Sequence, residues 1–483
     1  MRPPTLLPLL FLSASTTDAI TLAKRSPADG PARVLQLDIR RNTIPDPVAH
    51  DTARRTRRHA RRDGSVNADI DNQLSLYALN ITIGSPAQAF TVNIDTGSSD
   101  LWVNSASSRL CRLRQDPCST SGTYSANSSS SYHYVNSQFN ISYAGGNAAA
   151  GDYATDTVRF AGQTVSDLQF GIGYESSTPL AILGLGYPIN EAQSTNAGMQ
   201  PYKNLPAKLT ADNVIASNAY SIWLNDLDAS TGSLLFGGVD RAQYEGDLVT
   251  IPVQSSGGVH AEFFVAMTDV QLDGQSVSDT SGAVAALLDT GTSLTYLPND
   301  VTAAIYQAVG ATLDEKEGVG IVNCDLANQN VNMTYRFADS ISINVPLNEL
   351  VLSSLSSSTD SGSLGGGSSA CQFGIAPAGS DSVILGDTFL RSAYVVFDID
   401  NNEVSLAQSR FNATRSDIAE IGSGANAVPS AATATSDVTA TSGLPSAPTT
   451  TETGTEGAGA SVAPSMLGLG VSVFAAAVIG WLL

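Results

Sequence analysis

The chain has 483 residues, of which 42% are apolar and 14% charged, and its formal net charge is −21. This length predicts two or more domains. A strongly acidic surface repels nucleic acid and anionic lipid, which excludes both as partners of the folded body.

The first predicted element is a secretory signal peptide in residues 1–19. Arg2 is followed by an apolar stretch at Leu6–Leu12 and then by small residues up to Ala19. This order of charged, apolar and small residues is typical of such signals. The alternative is a short buried helix, which the two prolines after Arg2 and the extreme terminal position disfavour.

Residues 20–62 are predicted to be a propeptide. Half of the 24 Lys and Arg residues of the chain lie before residue 63, and the run RRTRRHARR ends at Arg62. Alternative interpretations of this run are a solvated charge cluster or a nuclear signal, but an upstream signal peptide argues against the nuclear signal. We expect cleavage after Arg62. Until then, the basic segment would lie over the acidic body and hold it inactive by charge attraction.

From about residue 70 to residue 412 the chain has the pattern of β-structure. Short alternating runs, among them YALNITIG, FTVNID and YVVFDID, are separated by Gly, Asn, Asp and Ser, which is typical of strands joined by turns. The best helix candidate is Asn299–Val309, which follows Pro298. The pattern therefore predicts an all-β architecture in two lobes, with residues 63–243 in the first and residues 244–422 in the second.

Four cysteines in a secreted chain predict two disulfides, and three pairings are possible. Proximity in the sequence favours Cys111–Cys118 and Cys324–Cys371, one in each half. The chain has no C-x-x-C spacing, so we expect no zinc site. Sequons of the form N-x-Ser/Thr predict N-glycosylation, and they lie at Asn80, Asn127, Asn140, Asn332 and Asn412.

The composition changes near the C-terminus. Residues 423–457 are mostly Ser, Thr, Ala, Gly and Pro, which predicts an extended, O-glycosylated stalk. Residues 458–483 end in an apolar stretch, and small residues from Gly457 onward precede it. This pattern predicts attachment of a GPI anchor at Gly457 and removal of residues 458–483. The alternative is a retained transmembrane helix, although no basic stop sequence follows it.

The motif that carries chemistry occurs twice, as NIDTGSS at Asp95 and as LLDTGTS at Asp289. A second element also repeats, as AILGLGY at residues 181–187 and VILGDTF at residues 383–389. A single D-T-G is ordinary turn chemistry, but two elements repeated in the same order at nearly the same spacing predict a duplicated lobe. A pseudo-two-fold axis between the lobes would then place Asp95 against Asp289.

Two carboxylates in contact do not both ionise easily, so they share a proton and titrate as a pair. One can then act as a base on water, while the other protonates the carbonyl oxygen of the peptide bond under attack. This chemistry needs no metal and no cofactor. Gly97 and Gly291 permit the tight turns. The hydroxyl groups expected to orient the carboxylates by hydrogen bonds belong to Thr96, Ser98, Thr290 and Thr292.

Residues Tyr77–Ala407 resemble the pepsin family of aspartic endopeptidases, and the whole layout is similar to the fungal GPI-anchored, yapsin-like members. The resemblance implies a bilobal pepsin-like fold with the active-site cleft between two pseudo-two-fold related β lobes. It also implies that Asp95 and Asp289 are catalytic, and that Thr96 and Thr290 grip each other across the lobes.

The resemblance further implies a β-hairpin flap over the substrate. The matching stretch is FNISYAGGNAAAGDY, in which Tyr143 is the flap tyrosine and Trp102 its hydrogen-bond partner. Ala144 stands where the family usually has Gly. Gly145 stands where members that prefer basic substrates often have Asp, so a preference for Lys or Arg does not follow.

The predicted function is a secreted aspartic-type endopeptidase, made as a zymogen, that hydrolyses proteins at acidic pH. We expect a monomer that acts on protein or peptide substrates, has no nucleic acid partner and contacts membrane only through its GPI anchor. The expected location is the outer face of the plasma membrane or the cell wall. Two alternatives are a weak or inactive pepsin-like binding protein and a structural cell-wall mannoprotein. The two intact D-T-G triplets argue against the first, and the second leaves both acid loops unexplained.

Overall fold

Alternating apolar and polar residues form β-strands along most of the chain. A computed structural model describes residues 33–44, 74–142, 148–277, 282–338, 341–354, 363–364, 368–436 and 438–445. In Asn332–Phe337, for example, Met333, Tyr335 and Phe337 are buried while the residues between them are less so, as the two-residue period of a strand requires. The predicted signal peptide, the Arg62 cleavage site, Tyr143 and the anchor segment lie outside the described residues.

The strands in the first half of the chain are β1 (Leu35–Ile44), β2 (Leu74–Ile83), β3 (Gln88–Asp95), β4 (Leu101–Asn104), β5 (His133–Ser142), β6 (Ala148–Phe160), β7 (Gln163–Ser176), β8 (Ala181–Gly184), β9 (Ala219–Trp223), β10 (Thr231–Phe236), β11 (Gly238–Asp240) and β12 (Tyr244–Pro252). The helices here are α1 (Ala192–Ala197), α2 (Leu205–Ala211) and the 3-10 turns Pro117–Ser119, Ala126–Ser128 and Pro188–Asn190.

The strands in the second half are β13 (Phe264–Leu272), β14 (Gln275–Ser276), β15 (Val284–Leu288), β16 (Thr295–Leu297), β17 (Thr312–Asp314), β18 (Val319–Asn323), β19 (Asn332–Phe337), β20 (Ile341–Pro346), β21 (Val351–Ser354), β22 (Ser363–Leu364), β23 (Ser368–Phe373), β24 (Ile375–Pro377), β25 (Val383–Leu385), β26 (Ala393–Asp398), β27 (Glu403–Ser409), β28 (Ile418–Glu420) and β29 (Ala431–Thr433). The helices are α3 (Asn299–Val309), α4 (Leu347–Leu350), α5 (Asp387–Leu390) and the 3-10 helix Cys324–Asn328.

Most of the described strands belong to two large sheets. The first has the order β29-β12-β27-β26-β9-β10-β1-β2-β3-β8-β4-β7-β6-β5, and the second runs β20-β19-β13-β15-β25-β16-β24. A smaller sheet, β17-β18-β23-β21, lies in the second half of the chain. The all-β prediction is confirmed. The predicted helix is also confirmed, because α3 begins after Pro298 and ends at Gly310, whose φ of 70° closes it.

The two disulfides expected from sequence proximity are present. Cys111 pairs with Cys118, and Cys324 pairs with Cys371. The second bond joins the 3-10 helix Cys324–Asn328 to β23 and closes a separation of 47 residues. It therefore constrains the unfolded chain more than the first bond, which closes only seven.

Part of the predicted propeptide is an inner strand of the first sheet. β1 pairs antiparallel with β10 on one side and with β2 on the other. Its side chains alternate, and Leu35, Leu37 and Ile39 are buried. The basic composition of residues 20–62 predicts only a covering segment. The short apolar alternation LQLDI instead gives these residues a place in the sheet.

The structure differs from the expected stalk over residues 423–436 and 438–445. This part of the chain returns along the body, where β29 pairs in parallel with β12. Ala427 and Val428 are buried. A Ser- and Ala-rich composition does not reveal such packing, because part of the attachment comes from backbone hydrogen bonds, which any residue can form. Among the described residues, no helix is both long enough and apolar enough to cross a membrane.

Candidate active site

The two candidate acids lie at equivalent strand ends. Asp95 is the last residue of β3, and Asp289 directly follows β15. β3 pairs in parallel with β8, which pairs antiparallel with β4. β15, β25 and β16 repeat this arrangement in the second lobe. The repeated I-L-G segments therefore lie beside each acid.

A glycine ends each I-L-G segment because the acid-bearing loop packs directly against it. A Cβ atom on Gly184 would lie 2.5 Å from the backbone nitrogen of Asp100. A Cβ atom on Gly386 would lie 2.3 Å from the carbonyl oxygen of Leu294. Both distances are too short for any side chain. The two glycines thus allow the strand and the loop to approach in each lobe.

Each carboxyl group accepts the same two hydrogen bonds from its own loop. The Gly97 N–H donates to Asp95 Oδ1 at 2.9 Å, and the Ser98 hydroxyl donates to Asp95 Oδ2. The Gly291 N–H donates to Asp289 Oδ1 at 2.9 Å, and the Thr292 hydroxyl donates to Asp289 Oδ2 at 2.8 Å. These donors orient both carboxyl groups and offset the free-energy cost of burying them.

Thr96 and Thr290 join the two loops to each other. The Thr96 N–H donates to the Thr290 hydroxyl at 3.1 Å, and the Thr290 N–H donates to the Thr96 hydroxyl at 3.0 Å. Their hydroxyl groups donate onward to the carbonyl oxygens of Leu288 and Ile94. The local sequence predicts that these hydroxyls orient the carboxylates. In the structure they instead join one lobe to the other, as the family resemblance implies.

The reciprocal hydrogen bonds between Thr96 and Thr290 hold the two acids facing each other. Asp95 is 1% exposed and Asp289 is fully buried. A Cβ atom on Gly97 would lie 2.7 Å from the carboxyl carbon of Asp289, so the second acid packs directly on the first loop. The structure therefore brings together Asp95, Thr96, Gly97, Ser98, Asp289, Thr290, Gly291 and Thr292.

Apolar side chains flank the acids on both lobes. On β3, Val92 and Ile94 point into the main core, so Asp95 points to the opposite face. The N-lobe cluster on that face consists of Trp102, Phe139, Ile141, Ala149, Tyr153, Ile182 and Ala192. The C-lobe cluster includes Phe264, Ala285, Leu287, Leu294, Tyr296 and Ile384. Trp102 is buried within the N-lobe cluster, and its expected partner Tyr143 lies outside the described residues.

A second pair of buried acids lies behind the first loop, and the sequence analysis missed it. Asp100 accepts hydrogen bonds from the hydroxyls of Tyr153 at 2.7 Å and Tyr202 at 2.9 Å, and from the N–H of Ala192 at 2.8 Å. Glu191 is fully buried and accepts from the Tyr202 N–H at 2.7 Å. The only signal in the sequence is an acid five residues after Asp95, and no local pattern reveals Glu191.

Burial raises the pKa of both acids in this cluster. Removal from water raises the pKa of Asp100, against the lowering effect of its three hydrogen bonds. Burial, followed by the neighbouring charge of Asp100, raises the pKa of Glu191 from 4.5 to about 10. The cluster thus keeps protons that the same residues would lose in an unfolded chain.

A buried ion pair was also missed. Arg391 Nε donates to Glu349 Oε2 at 2.6 Å, and the two side chains are 2% and 1% exposed. Glu349 Oε1 accepts from the backbone N–H of Leu227 at 3.0 Å. The pair joins α4 to the chain after α5, which itself follows the second I-L-G segment. Arg391 comes five residues after Gly386, but the sequence alone does not identify its partner.

Comparison with known proteins identifies the same architecture elsewhere. A crystal structure of the aspartic proteinase from Irpex lacteus superposes with a TM-score of 0.57 at 22% identity, covering 71% of this chain and 96% of that one. At this identity the match supports the fold alone. It agrees with the pepsin-like bilobal fold expected from the sequence.

Sequence comparisons give the family. A probable aspartic-type endopeptidase, opsB, of Aspergillus oryzae is 49% identical over 435 residues, which cover 89% of this chain and 86% of that protein. Secreted aspartic protease 8 of Candida albicans is 35% identical over 362 residues, covering 74% and 82%. The family described as eukaryotic aspartyl protease matches residues 76–409. The chain therefore belongs to the eukaryotic aspartyl proteases, the pepsin family of aspartic endopeptidases.

Proposed function

We propose that this protein is a secreted, cell-surface aspartic endopeptidase in which Asp95 and Asp289 together activate water. The observation that carries the proposal is the symmetric arrangement of the two buried carboxyl groups. Each accepts an N–H and a hydroxyl from its own loop, and the reciprocal threonine hydrogen bonds hold the loops together. The names of the relatives, which include acid protease and aspartic-type endopeptidase, support the same activity.

The geometry supports hydrolysis without a covalent intermediate. With one proton shared between the acids, the ionised carboxylate takes a proton from a water molecule, and the water oxygen attacks the peptide carbonyl carbon. The protonated carboxyl group gives its proton to the carbonyl oxygen, which forms a neutral tetrahedral intermediate. The carboxyl group that took the proton from water then gives it to the peptide nitrogen, while the other carboxylate takes a proton from a hydroxyl group of the intermediate. The C–N bond breaks and releases an amine and a carboxylic acid. The acids return to their starting protonation.

We expect activity at acidic pH, because the mechanism requires one proton on the pair. The acidic composition fits this expectation. The formal net charge of −21 at pH 7 falls in magnitude as carboxylates are protonated, which lowers the self-repulsion of the surface.

The secretory features support a location outside the cell. The signal peptide in residues 1–19, the propeptide ending at Arg62 and the anchor site at Gly457 remain proposals from the sequence. All five sequon asparagines are exposed, so each is accessible for N-glycosylation. A relative is named a secreted aspartic protease. Phosphatidylinositol-specific phospholipase C should release the full-length protein from intact cells, and retention after complete digestion would instead indicate a tail helix.

Proteolysis is tested with a chain of residues 20–445 that is cut after Arg62. The chain extends to residue 445 because residues 438–445 pack on the folded body. Cleavage of a denatured protein is measured from pH 3 to 7, with and without pepstatin, beside Asp95→Asn. We expect acid activity that pepstatin and the substitution abolish. A folded, processed protein with no activity at any of these pH values would favour the binding-protein alternative.

A further inference from the structure

The C-terminal strap, residues 438–445, is attached to the strand that leads to Asp289. The Thr441 N–H donates to the Ala283 carbonyl at 2.8 Å, and the Ala285 N–H donates to the Ser442 carbonyl at 2.9 Å. Ser442 and Val284 form a parallel bridge. These bonds extend the sheet at the start of β15, on a part of the chain that composition assigns to a stalk.

The loop after β12 holds both ends of the strap. The Gln254 side chain accepts from the Ala440 N–H at 2.9 Å. The Ser256 hydroxyl donates to the Pro445 carbonyl at 2.6 Å. Between these points Gly443 has a φ of 88°, and a Cβ atom there would lie 2.9 Å from the Ala285 carbonyl oxygen. A glycine at this position therefore permits the close approach.

The strap packs on the face of β15 that carries Asp289. Side chains alternate along a strand, and Ala286 and Leu288 point into the main core. Ala285 and Leu287 lie on the other face, in the C-lobe cluster, and Asp289 continues their series. Two strap side chains, Ala440 and Leu444, pack against this cluster. The strap thus adds apolar surface to the side of the lobe that faces the cleft.

The strap lies about as far from Asp289 as a substrate residue several positions from the cleaved bond. Strands rise about 3.3 Å per residue, so Ala285 lies roughly 13 Å from Asp289 along β15. An extended peptide has a similar rise and reaches this distance at about the fourth residue from the bond that is cut. Leu444 is only partly buried by the cluster, which leaves apolar surface for a substrate side chain.

We propose that residues 438–445 form a distal wall of the substrate site on the C-terminal lobe, and that Leu444 receives an apolar substrate side chain three to four residues from the cleaved bond. This inference rests on the proposed protease function. It gives the segment that precedes the anchor a role in substrate selection, in addition to its position as a connection to the anchor.

The test compares two sets of peptides with the processed chain of residues 20–445 and its Leu444→Ser variant. Short peptides contain only the residues next to the cleaved bond, and long peptides add either Leu or Ser at each distal position in turn. Loss of an apolar contact typically changes kcat/KM by about tenfold. We therefore expect Leu444→Ser to lower kcat/KM about tenfold for one long Leu peptide, while kcat/KM for the short peptides is unchanged.

Ile418→Ser is the matched control, because Ile418 is an apolar residue, 37% exposed, on β28, outside the strap. This variant should have the wild-type kcat/KM for every peptide. Equal losses of kcat/KM on short and long peptides, or no loss on any peptide, would contradict the proposal that residues 438–445 form part of the substrate site. If Leu444→Ser does not fold, Leu444→Phe should shift the distal preference toward smaller side chains, and an unchanged preference would also overturn it. Failure of the wild-type chain to cleave even short peptides would instead contradict the protease function.

Discussion

At the scale of single residues, Gly97 lies at a direct contact between the two lobes. Its hydrogen takes the place of a side chain that would clash with the Asp289 carboxyl group at 2.7 Å. Gly97 also donates its N–H to Asp95. One residue therefore both orients the first acid and admits the second. The D-T-G motif needs its glycine for this contact between lobes, and the tight turn is only part of the reason.

Gly97→Ala should inactivate the enzyme while leaving it folded. The added methyl group must push Asp289 away from its position opposite Asp95, and a displacement of about 1 Å from reacting geometry commonly lowers rates about 100-fold. We expect kcat to fall by at least about this factor, measured on a peptide substrate under acidic conditions.

Gly198→Ala is the control for this prediction. Gly198 caps α1 with a φ of 64° and has no neighbour within 4 Å of the Cβ position. A left-handed alanine costs about 1 kcal/mol of stability, so this variant should be slightly less stable and fully active. Near wild-type activity in Gly97→Ala would contradict the close contact between the lobes.

Local spacing predicted the residues that bind the acids, whereas only the family resemblance predicted that Thr96 and Thr290 bind each other. Ser98 and Thr292 bind the carboxyl groups as expected from their spacing. Thr96 and Thr290 bind across the lobes, at a separation of 194 residues. Spacing within a motif describes local turns, whereas a contact between distant loops depends on how the lobes pack.

At the scale of secondary-structure elements, the acid cluster behind the first loop joins three parts of the N-terminal lobe. Asp100 precedes β4, Tyr153 lies on β6, and Glu191 precedes α1. Burial penalises the charged forms of both carboxyl groups and outweighs the hydrogen bonds, which favour the charged forms, so the pKa of each acid is raised. The same cluster includes Tyr153, which also packs in the N-lobe cluster beside the candidate site.

The stability of the fold should fall as the pH rises through the neutral range. The pKa of Glu191 is raised from 4.5 to about 10, so its contribution is fully present below pH 4.5 and is lost as the pH rises toward the folded value. One such group contributes a slope of at most about 1.4 kcal/mol per pH unit. The raised pKa of Asp100 acts in the same direction.

Glu191→Gln tests this dependence, because glutamine cannot ionise. The free energy of unfolding in urea, measured at pH 5, 6, 7 and 8, should decline less steeply with pH in the variant than in the wild type. Glu175→Gln, a change at an exposed residue of β7, should leave the slope unchanged. Identical slopes for Glu191→Gln and the wild type would show that Glu191 does not hold a proton in the folded state.

The sequence predicted the helix α3 with its bounds but did not predict the strands β1 and β29. The helix α3 was found with its bounds, since Pro298 and Gly310 mark its ends. β1 and β29 were not found, because each is short or lies in a segment dominated by basic or small residues. Such strands are fixed by their neighbours in the sheet, and tertiary context outweighs their weak local preference.

At the scale of the whole molecule, the described part of the chain is a duplicated fold, and its first and last strands both pair into the first sheet. β1 lies between β10 and β2, and β29 covers the edge strand β12. A covered edge protects the sheet from pairing with other chains. Both segments were expected from composition to lie outside the body, as propeptide and as stalk. Their attachment therefore bears on how the zymogen is processed.

Cleavage after Arg62 at neutral pH should leave the β1 segment bound. Leu35, Leu37 and Ile39 are buried, and burying each such side chain contributes about 1.5–3 kcal/mol. Native mass spectrometry of the nicked protein should show one complex, and denaturing conditions should show two fragments. Ile39→Ser should promote release. A free N-terminal fragment from the nicked wild type under native conditions would contradict this prediction.

In the proposed mechanism, Asp95 and Asp289 act as one catalytic unit. The most direct measurement is kcat/KM on a single peptide at acid pH for the wild type, Asp95→Asn, Asp289→Asn and the double variant, with folding confirmed for each. Residues that act as a unit give non-additive losses. We predict that each single substitution lowers kcat/KM by at least about a thousandfold, and that the double variant is no worse than either. Substantial activity in either single variant, or losses that add in the double variant, would contradict the account.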